Sequence, residues 1–300
     1  MSTTNSNALR PATWDDYIGQ DNMKQRLRIS IDSALRERRA LSHVLLSAGP
    51  GTGKTSLASL IADESMTVFT NKVCPIPERM LHALLLDVGG TIHLDEIHRM
   101  TVKQQENLLS VLEDGMIQLD NGDFVDIGRR FTIIGSTTEV TKLIKPLRDR
   151  FPIKPRFADY TDENMADIIS GMMDTLSVDH NPMQAKRLGR ASAGIPRQAK
   201  NLALAARDLG TADVSRVLDF AEVTQDGYTE SHLAYLEVLY KLGGTGGVEI
   251  LKNYTNEPQE VLLEIENLLI NRSCIEYTPK GRSLLMPGAA LLDEHGRKTR

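Results

Sequence analysis

Apolar residues in the first half of the chain fall into short blocks that predict strands, with helical spacing between them. Three apolar runs, at 42–48, 91–97 and 130–139, have the length of buried strands. Between these runs, apolar positions recur three and four residues apart, as at Leu57, Leu60 and Ile61 and at Leu108, Val111 and Leu112. Strands that alternate with helices favour an α/β fold with a parallel sheet.

Two local signals add detail to this part of the chain. Thr101 and Gln104 have the spacing of a capping box, which predicts the start of a helix at that point. Residues 116–127 carry Asn-Gly between partly alternating apolar residues, which indicates a β-hairpin.

The pattern changes after Phe157, where strand signals stop and a second, all-helical unit is predicted. One helix face carries five apolar positions, at Met165, Ile168, Ile169, Met172 and Met173. From about Gly227, three helices and a hairpin around Pro-Lys-Gly predict a winged helix, which is more often than not a DNA-binding module. We therefore divide the chain into a disordered tail at 1–8, an α/β domain at 9–157, a helical unit at 158–226 and a winged helix at 227–300.

Composition sets limits on function. Hydrophobic residues make up 41% and charged residues 25% of the chain, which is ordinary for a soluble globular protein. The net charge of −5 argues against simple coating of nucleic acid, so DNA contact requires a local basic patch. Two distant cysteines without C-x-x-C spacing favour a reducing, intracellular setting. Because no apolar run could span a bilayer and no signal peptide is evident, we expect a cytoplasmic chain with no membrane partner.

The stretch AGPGTGKTS at 48–56 matches the phosphate-binding pattern G-x-x-x-x-G-K-[ST] except at its first position. Backbone N–H groups of such a loop and the N-terminus of the next helix bind the phosphates of a nucleoside triphosphate. Ala48 replaces the first glycine, which is tolerable if its φ is negative. The predicted nucleotide-binding residues of the loop are Gly49, Pro50, Gly51, Thr52, Gly53, Lys54, Thr55 and Ser56.

A second motif, IHLDEIH at 92–98, places two adjacent carboxylates at the end of a predicted strand. Asp95 suits a Mg²⁺ ligand there, and Glu96 can polarise the attacking water. An ordinary acidic loop is the alternative, and the preceding phosphate loop makes it the weaker one. His93 is better explained as a packed core histidine than as a ligand, and a direct chemical role for His98 is not favoured.

A third motif, PLRDRF at 146–151, follows the last predicted strand of the sheet. An arginine at this place can point at the γ-phosphate of a neighbouring subunit, a contact worth about 10³ to 10⁵ in rate. On composition alone, a salt-bridged helix end is the simpler explanation.

These segments together resemble one family in order and approximate spacing: LRPATWDDYIGQ at 9–20, AGPGTGKTS, LDEIHRM, FTIIGSTTE, PLRDRF and GIPRQAKNL. The chain resembles the RuvB family, the AAA+ motors of Holliday-junction branch migration, over roughly residues 9 to 285. The GKT and DE motifs occur in P-loop ATPases generally. RPxTxxxYIGQ, DEIHR, PLRDRF and TPKGR are the specific signals.

The resemblance implies a P-loop AAA+ ATPase domain, a helical lid and a winged helix, with ATP and Mg²⁺ as cofactors. It implies ATP hydrolysis coupled to DNA translocation in recombination and repair, by a hexameric ring on duplex or branched DNA. By position, the resemblance assigns Walker A roles to Lys54 and Thr55 and Walker B roles to Asp95 and Glu96. It assigns the sensor 1 role to Thr138, with Thr137 beside it, the trans-acting finger to Arg150 and the sensor 2 role to Arg197. It also assigns adenine packing to Tyr17 and Ile18, and DNA contact to Lys280 and Arg282.

Three departures from the family pattern matter. Ala48 replaces a glycine, and the stretch VFTNKVCPIPERM lacks the TSGP of the family. The segment 116–127 is short, whereas in the family a longer hairpin there engages the partner RuvA, so dependence on a RuvA-like partner is doubtful. A short, divergent relative of this kind suits a phage or mobile-element copy, which works in the bacterial cytoplasm or the phage-infected host cell.

Two other functions stay open on sequence alone. A clamp loader or helicase loader in DNA replication would share the ATPase motifs, although such proteins generally do not end in a winged helix with TPKGR. A nucleotide-switched DNA-binding adaptor would bind ATP without productive turnover. The intact Glu96 and Arg150 argue against the adaptor, because a switch without turnover needs neither residue.

Overall fold

The computed structural model describes residues 8–87, 90–118, 123–128 and 131–297. The chain divides into two compact units, Met1–Asp159 and Tyr160–Arg300. The predicted disordered tail at 1–8 lies outside the described residues except for its last position. None of the helices in the described ranges has the length and apolar character needed to cross a membrane.

The first unit is an α/β domain. Its elements are α1 (Asp21–Arg36), β1 (Val44–Ser47), α2 (Lys54–Glu64), β2 (Phe69–Val73), α3 (Glu78–Asp87), β3 (Thr91–Asp95), α4 (Val102–Asp114), β4 (Met116–Gln118), β5 (Phe124–Asp126), β6 (Thr132–Thr137) and α5 (Lys145–Asp149). Four strands form a parallel sheet in the order β1-β6-β3-β2, which confirms the predicted fold class. β4 and β5 pair antiparallel as the predicted hairpin, whose Asn-Gly turn at 121–122 lies outside the described residues.

The burial of each strand explains which ones the apolar pattern revealed. All six residues of β6 and four of the five in β3 are buried, as expected for the central strands of a sheet with helices on both faces. β2 lies at the edge of the sheet, and its sequence FTNKV is at most half-buried throughout. Neither continuous hydrophobicity nor clean alternation marks β2, so it was not predicted.

The sheet brings the predicted motifs to one edge. Because β1, β3 and β6 are parallel, the phosphate loop, the Asp-Glu pair and the predicted sensor residues all leave the sheet at its carboxyl end. Ser47 pairs with Thr137 in this register. The helix after the Asp-Glu pair, α4, begins with the predicted capping box of Thr101 and Gln104.

The second unit begins with four helices, α6 (Asp162–Thr175), α7 (Pro182–Ala191), α8 (Pro196–Leu209) and α9 (Val214–Ala221). The predicted apolar face of α6 packs in their common core through Met165, Ile169 and Met173. At Gly189 of α7 the helices approach so closely that a Cβ would lie 2.6 Å from the backbone nitrogen of Ala166 on α6, so only glycine fits there.

The chain ends in α10 (Glu230–Lys241), β7 (Thr245–Gly246), α11 (Val248–Thr255), α12 (Gln259–Asn271), β8 (Ile275–Thr278), β9 (Gly281–Leu284) and α13 (Met286–Glu294). β7, β9 and β8 form a small antiparallel sheet, and the β8–β9 hairpin is the wing. The predicted winged helix is confirmed. The sequence pattern did not reveal α13, which follows the wing.

Candidate nucleotide-hydrolysis site

The phosphate loop connects β1 to α2 and has the backbone shape that anion binding requires. Gly51 and Gly53 have φ of 74° and 96°, in the left-handed region that favours glycine. Gly53 is also the N-cap of α2, so the positive end of the helix dipole faces the loop. Ala48 stays outside the left-handed region, and its N–H donates to Thr137 O at 3.3 Å. A methyl group is therefore tolerated at this position.

Lys54, the first residue of α2, lies over the loop and is buried. Its Nζ donates to the carbonyl oxygens of Ala48 and Gly49, each at 2.8 Å. Thr52 Oγ1 also donates to Gly49 O, at 2.9 Å. The ammonium group is thus held at the mouth of the loop, where phosphates would lie. The role of the Ala48 and Gly49 carbonyls as its acceptors was not foreseen from sequence.

Thr55 and Asp95 come together across the loop. Thr55 Oγ1 donates to Asp95 Oδ2 at 3.3 Å, and the second carboxylate oxygen of Asp95 accepts from Glu96 N at 3.1 Å. Two neighbouring ligands of an octahedral Mg²⁺, each about 2.1 Å from the metal, lie about 3 Å apart. The observed separation therefore fits two residues that would hold one Mg²⁺ between them.

Glu96 has an unusual backbone and two side-chain partners. Its φ of 53° is in the left-handed region, which costs a non-glycine residue of order 1 kcal/mol. The Glu96 Oε2 atom lies 3.2 Å from His98 Nδ1 and 3.5 Å from Thr138 Oγ1. The sharp turn after Asp95 thus directs the Glu96 carboxylate towards the predicted sensor residue.

The His98 ring contacts three side chains, those of Glu96, Thr137 and Glu139. Its Nδ1 lies 3.0 Å from Thr137 Oγ1, and its Nε2 lies 3.4 Å from Glu139 Oε1. Only 7% of the His98 side chain is exposed. A direct chemical role for His98 is not favoured from sequence, yet its contacts link the Glu96 carboxylate to Thr137 at the end of β6.

His93 is a packed core residue, as predicted. It is fully buried in β3 and bonds Asn71 Oδ1 at 2.8 Å on β2 and Ser136 Oγ at 2.6 Å on β6. Burial lowers the pKa of His93 to about 4, so the ring is neutral at physiological pH.

Tyr17 lies directly against the phosphate loop. It is buried, and a Cβ on Gly53 would lie 3.0 Å from its Oη. Ile18 beside it is half-buried. Reciprocal hydrogen bonds between the Gln20 side chain and the Ala158 backbone, at 2.7 and 2.8 Å, fix this segment to the end of the unit. Of the two predicted adenine-packing residues, Tyr17 therefore lies beside the loop.

Two family models match the chain. The Holliday junction DNA helicase RuvB P-loop domain matches residues 9–157, and the RuvB C-terminal winged helix domain matches residues 225–293. The Holliday junction branch migration complex subunit RuvB of Mycoplasmopsis pulmonis is 29% identical, with 95% of this chain and 98% of that protein covered.

Solved structures lead to the same family. The Thermotoga maritima RuvB Holliday junction branch migration motor superposes with a TM-score of 0.86 at 28% identity. An alanine-to-serine variant of the same protein is 30% identical with the same TM-score, and both comparisons cover 95% of this chain and 98% of the other. The chain belongs to the RuvB family.

The RuvB-type motif PLRDRF forms the end of α5. Leu147 and Phe151, four residues apart, are fully buried in the sheet core. Their spacing turns Arg150 outward, where about half of its side chain is exposed. Arg150 caps α5 and forms an ion pair with Glu113 of α4. The salt-bridged helix end is therefore observed, and the trans-acting role of Arg150 stays a prediction.

The other RuvB-type residues lie in the second unit. Arg197 is exposed in the first turn of α8, directly after Pro196. A cation at a helix N-terminus opposes the helix dipole, so this placement is not explained by helix stability. Lys280 is exposed in the two-residue turn between β8 and β9, whereas Arg282 on β9 forms an ion pair with the buried Glu266.

Proposed function

We propose that this chain is an ATP-driven DNA motor that moves the branch point of Holliday junctions in recombination and repair. The observation that carries the proposal is the joint presence, in one RuvB-family chain, of an assembled Walker site and a C-terminal winged helix. A clamp loader or helicase loader would explain the first feature but not the second.

The geometry supports a stepwise role for the residues of the first unit. Tyr17 and Ile18 pack against adenine, and the loop N–H groups with Lys54 bind the β- and γ-phosphates of ATP. Thr55 and Asp95 would hold Mg²⁺, which would supply charge neutralisation at the phosphates. Because the Glu96 carboxylate lies beside Thr138 and His98, it can orient a water for in-line attack.

Two arginines complete the proposed cycle. Arg150 reaches the γ-phosphate of an adjacent subunit in a hexameric ring, for which its surface position is suited. Arg197 contacts nucleotide from the lid and couples its state to lid movement. We propose the corresponding division into an ATPase domain at 9–157, a lid at 158–226 and a winged helix at 227–300.

The winged helix supplies the proposed DNA contact. Lys280 and the wing around it would meet phosphates of duplex or branched DNA, which gives salt-dependent and sequence-tolerant binding. That property suits a motor that must move along any sequence. The short β4–β5 hairpin argues against strict dependence on a RuvA-like partner. We place the motor in the bacterial cytoplasm or the phage-infected host cell.

The test is ATP turnover by the full chain with three DNA substrates: a four-way junction, a linear duplex, and a primed template carrying a sliding clamp. We expect the greatest stimulation by the junction, dissociation of a labelled junction in the presence of ATP, and loss of both with Lys54→Ala. Greatest stimulation by the clamp would instead support a loader. Binding of junctions without any turnover in a single-turnover assay would support the adaptor.

A further inference from the structure

A carboxylate is buried beneath the wing. Glu266 lies in α12 with no exposed surface, on the same face as Leu262, Ile265 and Leu269. Its two oxygens accept four hydrogen bonds. The donors are Tyr235 Oη at 2.7 Å, Tyr277 Oη at 2.7 Å, Arg282 Nε at 2.8 Å and Arg282 Nη2 at 3.0 Å.

The charge of Glu266 depends on these partners. Burial alone would raise the pKa of Glu266, but the hydrogen bonds from Arg282 and the two tyrosines outweigh burial and hold the pKa below its usual value. Removing one partner of a buried ion pair is strongly destabilising, because the other charge stays buried without compensation. The Arg282 guanidinium is therefore tied to the protein interior.

The same contacts fix the shape of the wing. Tyr277 of β8 and Arg282 of β9 are cross-strand partners, and the guanidinium lies 5.0 Å from the centre of the Tyr277 ring. At Gly281, whose φ is 125°, a Cβ would lie 2.3 Å from Gly246 O, so β9 packs directly on β7. The two exposed turn residues, Pro279 and Lys280, form the tip of the wing beyond the Thr278–Gly281 pair.

Lys280 occupies that tip. Its side chain is exposed, and it forms no ion pair with any residue that the structure describes. The Arg282 side chain is only 18% exposed, and two of its N–H groups already face Glu266. The wing thus has one cation that is available to a phosphate and a second whose charge is compensated internally.

We propose that Glu266 clamps the wing through Arg282, so that Arg282 is a positioning residue and Lys280 is the wing cation that meets the DNA phosphate. This inference rests on the proposed DNA-binding role of the winged helix. It reassigns Arg282, which the resemblance to the family places in direct contact with DNA.

The test compares Arg282→Gln with the double variant Arg282→Gln/Glu266→Gln in the full chain. The single variant leaves the Glu266 carboxylate buried and uncompensated, so we expect faster amide exchange in β8 and β9 and about tenfold weaker binding of a linear duplex. The double variant replaces the ion pair with a neutral, hydrogen-bonding pair, and it has the same net charge as the wild type. We expect it to recover duplex affinity to within about twofold of wild type, with an unchanged slope of log K against log salt.

Lys280→Gln is the matched control, because it removes one cation without touching Glu266. It should lower the salt slope by about 0.9 and leave amide exchange unchanged. The proposal is overturned if the double variant regains a protected wing but keeps weak binding and a slope lowered by about 0.9, since Arg282 would then contact phosphate itself.

A further variant covers the case in which the double variant does not regain its fold. Tyr277→Phe removes one hydrogen bond to Glu266 and keeps every charge. Faster wing exchange with weaker duplex binding supports the clamp, and unchanged binding despite faster exchange refutes it. If the wild-type chain binds no duplex at all, the proposed DNA function fails, while amide exchange in the single and double variants still decides whether Glu266 holds the wing.

Discussion

Ala48 shows how one methyl group fits where the phosphate-loop pattern has glycine. Its N–H continues the pairing of β1 with β6 at Thr137 O, so the residue is still part of the strand ladder when the loop begins. The positive φ values that need glycine come later, at Gly51 and Gly53. The backbone conformation that needs glycine is therefore found in the second half of the loop.

Ala48→Gly should leave ATP affinity within about twofold of wild type and lower stability by about 0.5–1 kcal/mol, because glycine gains conformational entropy in the unfolded chain. Trp14, the single tryptophan, packs in the same cluster as Tyr17 and offers a fluorescence signal for nucleotide titration. Urea melts give the stability. A tenfold gain in ATP affinity would mean that the methyl group obstructs the site.

His98 is the residue whose contacts add most to the sequence-based site. Because it touches the Glu96 carboxylate and Thr137 together, we expect it to hold Glu96 in its working position. His98→Ala should lower kcat by about tenfold and change the affinity for ATP little, as for a group that acts in the chemical step.

His98→Asn is the matched control for this prediction, since its amide can reach the same oxygens from a shorter side chain. Partial recovery of kcat with His98→Asn would support positioning by hydrogen bonding. If His98→Ala instead raises KM by about tenfold and leaves kcat unchanged, the residue contributes to nucleotide binding in the ground state.

At the scale of elements, the sequence predicts the strands and helices whose apolar residues are strongly periodic, and it misses those whose apolar residues are not. The buried strands β3 and β6, the capped helix α4 and the apolar face of α6 follow from periodicity and capping. The edge strand β2 was missed because its side chains are partly exposed. Nor could spacing show that Glu113 of α4 pairs with Arg150 or that Glu266 pairs with Arg282, because those partners meet only after folding.

The position of Glu266 in the sequence nevertheless indicates that its charge is buried. It stands between Ile265 and Leu269 in the apolar helix QEVLLEIENLLIN, on the face that the spacing turns inward. A charged residue at such a position requires a partner. The sequence could have predicted a buried ion pair there, although not the identity of the second residue.

The capping box of α10 carries a pH dependence. His232 Nδ1 accepts from Thr229 N at 3.1 Å, which requires a neutral ring, and burial lowers the pKa of His232 to about 4. In the unfolded chain the pKa is about 6.5. The stability that depends on a neutral His232 is therefore fully present above about pH 6.5 and is lost as the pH falls towards 4. Over this range the unfolded chain binds a proton at His232 that the folded chain does not.

Between pH 7 and pH 4.5 the loss due to His232 should amount to roughly 2–3 kcal/mol, from 1.36 kcal/mol per unit of pKa shift. The difference between urea melts of the wild-type chain and of His232→Gln, taken between pH 7 and pH 4.5, measures it, because His93 has the same lowered pKa in both proteins. His232→Gln keeps a capping-box acceptor that does not titrate, so its stability should fall less over this range. Identical pH profiles for the two proteins would show that His232 contributes nothing to the dependence.

At the scale of the whole molecule, the proposed site is incomplete in one chain. The first unit supplies Lys54, Thr55, Asp95 and Glu96, but Arg150 points to solvent beside Glu113. If Arg150 acts in trans, each active site needs residues from two subunits, and turnover becomes a property of the interface in the ring.

Mixing two inactive variants tests this arrangement. Lys54→Ala lacks a working phosphate loop and keeps its finger, whereas Arg150→Ala keeps the loop and lacks the finger. In a random equal mixture, about one quarter of interfaces join an intact loop to an intact finger, so ATPase activity should reach up to about one quarter of wild type. The double variant Lys54→Ala/Arg150→Ala, mixed with either single variant, provides the control and should give no recovery. If the mixture of single variants also stays inactive while the assembled rings contain both, Arg150 serves its own subunit, and its ion pair with Glu113 is its main role.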